Sequence, residues 1–152
     1  MDFSSILLPF LGMILHGWID SDCVHAGYSV TPSAIYYCID DGKLMYSKYK
    51  LEGVNMASFQ TLNDSHAEYA KDKNSVFYYE TRLEGADPNT FQVIGPGYGK
   101  DKDSVFFYKK KVVGADPATF QMLNFEYNKD KNAVYHFETK MLGVNPATFK
   151  IP

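Results

Sequence analysis

The segment YAKDKNSVFYYETRLEGADPNTFQVI (69–94) is followed by GPG and then by YGKDKDSVFFYKKKVVGADPATFQML (98–123), and after NFE comes YNKDKNAVYHFETKMLGVNPATFKI (127–151). These segments align without gaps at a period of 29, so residues 69–97, 98–126 and 127–152 read as copies of one unit. Three phrases recur: Y-x-K-D-K, V-[FY]-[YFH]-[YF] and G-[AV]-[DN]-P-x-T-F. A worn copy over 40–68 aligns Asp40 to Tyr46 and Gly53 to Phe59 with the stretch from Asp72 to Phe91, with an insertion between Leu62 and Tyr69. Upstream, Tyr28 to Tyr37 imitates Tyr69 to Tyr78 and reads as an opening strand within 28–39.

Each phrase has a physical role. Val76 to Tyr79, Val105 to Tyr108 and Val134 to Phe137 are β-branched and aromatic runs that follow an Asp-Lys-[Asn/Asp] turn, whose Asp bonds its own downstream backbone. A second short strand is expected through Arg82-Leu83, Val112-Val113 and Met141-Leu142, closed by Gly85, Gly114 and Gly143. Asp87-Pro88, Asp116-Pro117 and Asn145-Pro146 place a capping residue before a proline, which predicts one helical turn. Phe59, Phe91, Phe120 and Phe149 then form the structural core as an aromatic ladder, flanked by Leu62, Ile94 and Leu123. The predicted fold is mainly β: tandem hairpin repeats, each with a one-turn helix, stacked as a small array over 28–152. A unit this short cannot bury two faces alone, so its stability comes from its neighbours. An open edge after the last unit would be free to take a partner strand or a second copy.

The tandem K-D-K-N/D-x-V-[FY]-[YFH] and G-A-D-P-x-T-F pattern resembles the DKNYY repeat family over Asp40 to Ile151. The first copy departs from it, with Asp40-Asp41-Gly42 at the turn and Val54-Asn55-Met56 in place of A-D-P. The resemblance implies a bacterial protein, often exported or envelope-associated, and brings no catalytic residues.

Residues 1–27 lie outside the repeats. Ile6 to Leu15 is too short an apolar stretch to span a bilayer, so no transmembrane segment is expected. Two readings stay open. One is a signal peptide cut after Val24-His25-Ala26, although Lys and Arg are missing from its first residues; the other is an amphipathic cap built on Phe3, Ile6, Leu7, Phe10, Leu11, Ile14, Leu15 and Trp18. Cys23 and Cys38 form either a disulfide or two half-buried thiols, and a cut after Ala26 would discard Cys23.

Catalytic and metal chemistry finds little support. His16, His25, His66 and His136 share no ligand spacing, and Ser75 and Ser104 lack a nucleophile elbow. Gly95-Pro96-Gly97-Tyr98-Gly99 lacks the ending of a phosphate loop and reads as a linker. The D-x-[DN] triplets at Asp72, Asp101 and Asp130 have calcium-like spacing, but each has a central lysine and no closing Glu, which favours ordinary turns and no cofactor.

The net charge of −3 gives no bulk basic field, so nucleic acid is not an expected partner. Residues 1–68 hold three Lys against eight acids and residues 98–152 nine Lys against six, leaving −5 and +3 and hence an electric axis. Tyrosine, with 12 copies, is favoured at interfaces. The expected function is therefore a non-catalytic binding protein that engages a specific protein partner, of the inhibitor or immunity type. Its expected face comprises Tyr78, Tyr108, Lys109, Lys110 and Lys111, and its expected location is the periplasm or envelope, with the cytoplasm as the other option. The alternative is an envelope or wall module that self-assembles.

Overall fold

The computed structural model describes residues 23, 26–40, 46–62 and 68–152. The signal-peptide and cap readings, His16, His25 and His66, and the turn at Asp41-Gly42 therefore lie outside the described residues. The chain divides into two compact units, Met1–Glu52 and Gly53–Pro152. Each is mainly β.

In the first unit β1 (Gly27–Val30), β2 (Ile35–Asp40) and β3 (Tyr46–Lys50) form an antiparallel meander. Ile35, Cys38 and Leu51 are buried, and Tyr28 packs edge-on against Tyr37 with centroids 5.1 Å apart. A disulfide joins Cys23 to Cys38 across a Cα separation of 5.8 Å. A leader cut after Ala26 would leave Cys23 joined to the rest of the chain through this bridge alone.

The described residues of the second unit form three four-stranded sheets, each an antiparallel meander in chain order. The first comprises β4 (Gln60–Thr61), β5 (Tyr69–Lys71), β6 (Val76–Tyr78) and β7 (Thr81–Arg82). The second comprises β8 (Gln92–Gly95), β9 (Tyr98–Lys100), β10 (Val105–Phe107) and β11 (Lys110–Lys111). The third comprises β12 (Gln121–Met122), β13 (Tyr127–Lys129), β14 (Val134–His136) and β15 (Thr139–Lys140).

Side chains alternate along a strand, yet Val105, Phe106 and Phe107 are all buried because the second sheet is covered on both faces. Phe106 joins Tyr69, Val76, Tyr78, Leu83 and Phe91 in the core shared with the first sheet. Val105 and Phe107 join Tyr98, Val112, Phe120, Ala133 and Tyr135 in the core shared with the third. Each fully buried aromatic contributes about 1.5–3 kcal/mol of transfer free energy. At β14 Val134 is buried, but His136, two residues on along the same face, is exposed where Tyr78 and Phe107 are buried.

Several elements differ from the sequence expectation. The Y-x-K phrase is itself a strand, as are the residues after Phe59, Phe91 and Phe120 though not those after Phe149, so the hydrogen-bonded sheet starts ahead of the sequence frame: β8 ends the copy 69–97 but pairs with β9. The last strand of each sheet sits one residue early, at Thr81–Arg82, Lys110–Lys111 and Thr139–Lys140, because the turn before it has only two residues. The D-P-x-T-F phrase closes a single hydrogen-bonded turn, with Phe91 N–H donating to Asp87 O at 3.0 Å and Phe149 N–H to Asn145 O at 3.0 Å. One closed bond does not propagate a helix when the next residue enters a strand. The 3₁₀ turn Met56–Ser58 occupies this position in the copy without proline.

Phe91 and Phe120 are buried, whereas Phe59 and Phe149 are half-buried. Phe91, Phe120 and Phe149 do not follow one another as rungs. Phe91 lies between Tyr69 (5.4 Å) and Phe106 (5.9 Å), Phe120 between Tyr98 (6.3 Å) and Tyr135 (5.8 Å), and Phe149 lies against Tyr127 (5.6 Å).

Hydrogen-bond register also reassigns the first copy. Leu83, Val112 and Met141 donate their N–H to Val76, Val105 and Val134, and Leu51 donates in the same way to Ile35, all at 2.8 Å. Asp72, Asp101 and Asp130 donate to Ser75, Ser104 and Ala133, as Thr31 does to Ala34. Tyr28 to Tyr37 and Leu51 to Phe59 are thus the two halves of one unit. Ile35 and Leu51 stand 16 positions apart where Val76 and Leu83 stand seven, so the extra residues lengthen the hairpin between them.

Candidate functional site

The K-D-K corner holds adjoining turns together. Asp101 Oδ1 accepts the N–H groups of Asp103 (2.8 Å) and Ser104 (2.7 Å), while Oδ2 accepts that of Asp87 (2.9 Å) in the preceding G-A-D-P turn. Asp72 does the same with Asn74, Ser75 and Asn55, and Asp130 with Asn132, Ala133 and Asp116. All three carboxylates are buried. Lys71, Lys100 and Lys129 reach forward to the carbonyls of Pro88 (2.9 Å), Pro117 (2.9 Å) and Pro146 (3.3 Å). Ser58, Thr90 and Thr119 hydroxyls accept from the backbones of Lys73, Lys102 and Lys131. The first aspartate of each D-x-[DN] triplet thus has both oxygens engaged by amides. Among the described residues no group of His, Cys, Asp and Glu is arranged to hold a metal.

The V-[FY]-[YFH]-[YF] phrase ends in an unusual turn. Tyr79, Tyr108 and Phe137 have φ of 54°, 53° and 51°, in the left-handed region that bulky side chains avoid. Each is the first residue of a two-residue hairpin turn, where glycine is the preferred residue of a type II′ geometry. The ring is folded back onto its strand neighbour: Tyr79 on Tyr78 (4.2 Å), Tyr108 on Phe107 (4.2 Å), Phe137 on His136 (4.6 Å). The backbone N–H of each also donates to the residue before the Y-x-K strand, at Glu68 (2.8 Å), Gly97 (2.6 Å) and Glu126 (2.7 Å). Tyr108 then meets Tyr78 of the preceding sheet at 5.6 Å, and Phe137 meets Phe107 at 5.6 Å. The strained turns thereby build a continuous aromatic spine across the three sheets.

At the junction of the first and second sheets this spine borders a groove of about 410 Å³, lined by Glu68, Tyr78, Tyr79, Glu80, Thr81, Tyr108 and Lys109. Glu68 is fixed there by the N–H of Gly97 (2.9 Å) and the hydroxyl of Tyr79 (3.5 Å). Burial, and then the charge of Glu68, holds the hydroxyls of Tyr69 and Tyr108 above the ordinary tyrosine value.

Of the five residues expected to face a partner, the groove gathers Tyr78, Tyr108 and Lys109. Tyr78 is buried and contributes to its floor, whereas Tyr108 is 37 % exposed. Lys110 instead pairs with Glu138 (3.2 Å), and Lys111 lies over the Phe106 ring (5.8 Å), because successive strand residues point to opposite faces. Glu68, Tyr79, Glu80 and Thr81 escaped the sequence reading. Strand alternation would send Tyr79 away from Tyr78, and only its positive φ brings the two rings together.

No helix among the described residues is long and apolar enough to cross a membrane. No curated protein and no solved structure matches the chain. The model of the DKNYY family matches residues 18–110 and 98–151, and the repeated D-K-[ND]-x-V-aromatic phrases whose contacts are set out above fall within that match; the chain belongs to the DKNYY family.

Proposed function

We propose that this is a non-catalytic binding protein that holds a specific protein partner on the groove at the junction of the first two sheets, in the manner of an inhibitor or immunity protein. The observation that carries the reading is the groove itself, where a partly exposed tyrosine with a buried tyrosine beneath it is rimmed by charge on a rigid scaffold. Tyrosine anchors with a polar rim are the usual anatomy of a protein interface. The Cys23–Cys38 bridge favours an oxidising compartment, the periplasm or cell envelope, over the cytoplasm. A photo-crosslinking residue at Lys109 in the producing cell should trap one foreign chain, and Tyr108→Ala should abolish the adduct. Adducts only between copies of this chain would contradict the reading.

A self-assembling envelope module is the second reading, supported by the side chains of Leu142 (87 % exposed) and Val113 (81 % exposed) and by the exposure of His136 on β14. Under that reading the mass measured by light scattering rises with concentration. A monomer at every concentration counts against it.

A further inference from the structure

We infer that the groove is a recognition site for an organic cation, the guanidinium or ammonium of a basic side chain presented by the partner. This deepens the binding reading above and rests on it. The rings of Tyr78, Tyr79 and Tyr108 border the space, with centroids 4.2 and 5.6 Å apart, and their π faces carry negative potential. Glu68 lies among them, oriented by Gly97 N–H, and Glu80 joins the lining. Two carboxylates against the single ammonium of Lys109 leave the lining net negative. Aromatic faces combined with a carboxylate suit a cation better than they suit an anion or a neutral polar group.

The next junction supplies an internal comparison. One period on, Gly97 stands for Glu68, Lys109 for Glu80, Lys110 for Thr81 and Glu138 for Lys109, while Phe107 and Phe137 stand for Tyr78 and Tyr108, so two phenols are gone and the net charge of the lining positions changes from −1 to +1. Phe125 packs there against Phe107 (6.3 Å) and Phe137 (5.7 Å), placing an apolar ring against the spine. The same backbone frame thus carries a net acidic tyrosine groove at one junction and a net basic, phenylalanine-rich junction at the other.

The test is an amide NMR titration of the intact chain with N-acetyl-arginine methylamide, using the uncharged citrulline analogue as control at matched ionic strength. Shifts confined to Tyr79, Gly97 and Lys109 that saturate with the arginine compound alone are expected. Glu68→Gln, which keeps an acceptor for Gly97 N–H, should weaken binding about tenfold, and Glu80→Gln should weaken it in the same direction. Equal shifts with the citrulline analogue, no shifts in the groove, or an undiminished response in both variants would overturn the inference. If Lys109 crosslinks a partner while the arginine compound leaves the groove unmoved, the cation site fails and the binding reading survives. A saturating titration with no crosslinked partner means the reverse.

Discussion

Asp101 commits both carboxylate oxygens to backbone amides, two in its own turn and one 14 residues upstream at Asp87. Asp101→Asn replaces one acceptor with an NH₂ that must face either the turn or Asp87, and leaves a buried donor unmatched. The expected loss is about 1.5–3 kcal/mol, read as a lower urea midpoint at unchanged slope. Gly97 is as narrowly constrained: its φ is +67°, and a Cβ there would stand 2.5 Å from the Tyr108 ring. Gly114, with φ of +78° and nothing within 4 Å, is a matched control. Gly97→Ala should therefore destabilise by more than Gly114→Ala, which carries only the backbone penalty of about 1–2 kcal/mol; equal losses in thermal unfolding would refute the close approach. At this scale the sequence was half readable. Asp-Lys-Asn announces its local turn through side-chain chemistry, but the bond from Oδ2 to a distant turn depends on register, which no local spacing encodes.

The hairpin shows where element-level reasoning succeeds and where it stops. Apolar runs at Val76, Val105 and Val134 marked the central strands, and a fixed period implied that neighbours cover both faces. Phe106, 1 % exposed between two sheets, should lose about 3–5 kcal/mol as Phe106→Ala. His136, exposed on the last sheet, should lose less than about 1 kcal/mol as His136→Ala, and chemical denaturation of the two variants measures the difference. The turn that ends these strands was not legible, since aromatic residues at a glycine-preferring position violate propensity. The spine outweighs the local strain, of order 1–3 kcal/mol per residue, so each ring reaches the next sheet. The first copy misled for a related reason. Its lengthened hairpin separates two halves of a unit, and an ungapped alignment found a surrogate for the turn at Asp40-Asp41-Gly42 while the true one, Thr31 to Ala34, carries Thr in place of Asp.

Across the second unit, buried tyrosines from all three sheets tie the fold to pH. Burial raises Tyr69, Tyr78 and Tyr135 well above the ordinary value of 10, and pushes Tyr98 up to about 12. The folded state thus holds these protons more tightly than the unfolded chain does, so their stabilisation is complete below pH 10 and is lost as pH rises through the folded values. Alkaline titration should show tyrosinate absorbance from these groups appearing together with cooperative unfolding, whereas ionisation before unfolding would contradict their burial. The central claim is that each buried aspartate of the repeated phrase joins its own turn to the turn before it. Amide hydrogen exchange on the intact chain tests this most directly at Asn55, Asp87 and Asp116, which lie in turns outside every strand. Protection approaching that of the central-strand amides is the expected result; exchange at the rate of an open loop at all three would contradict the account.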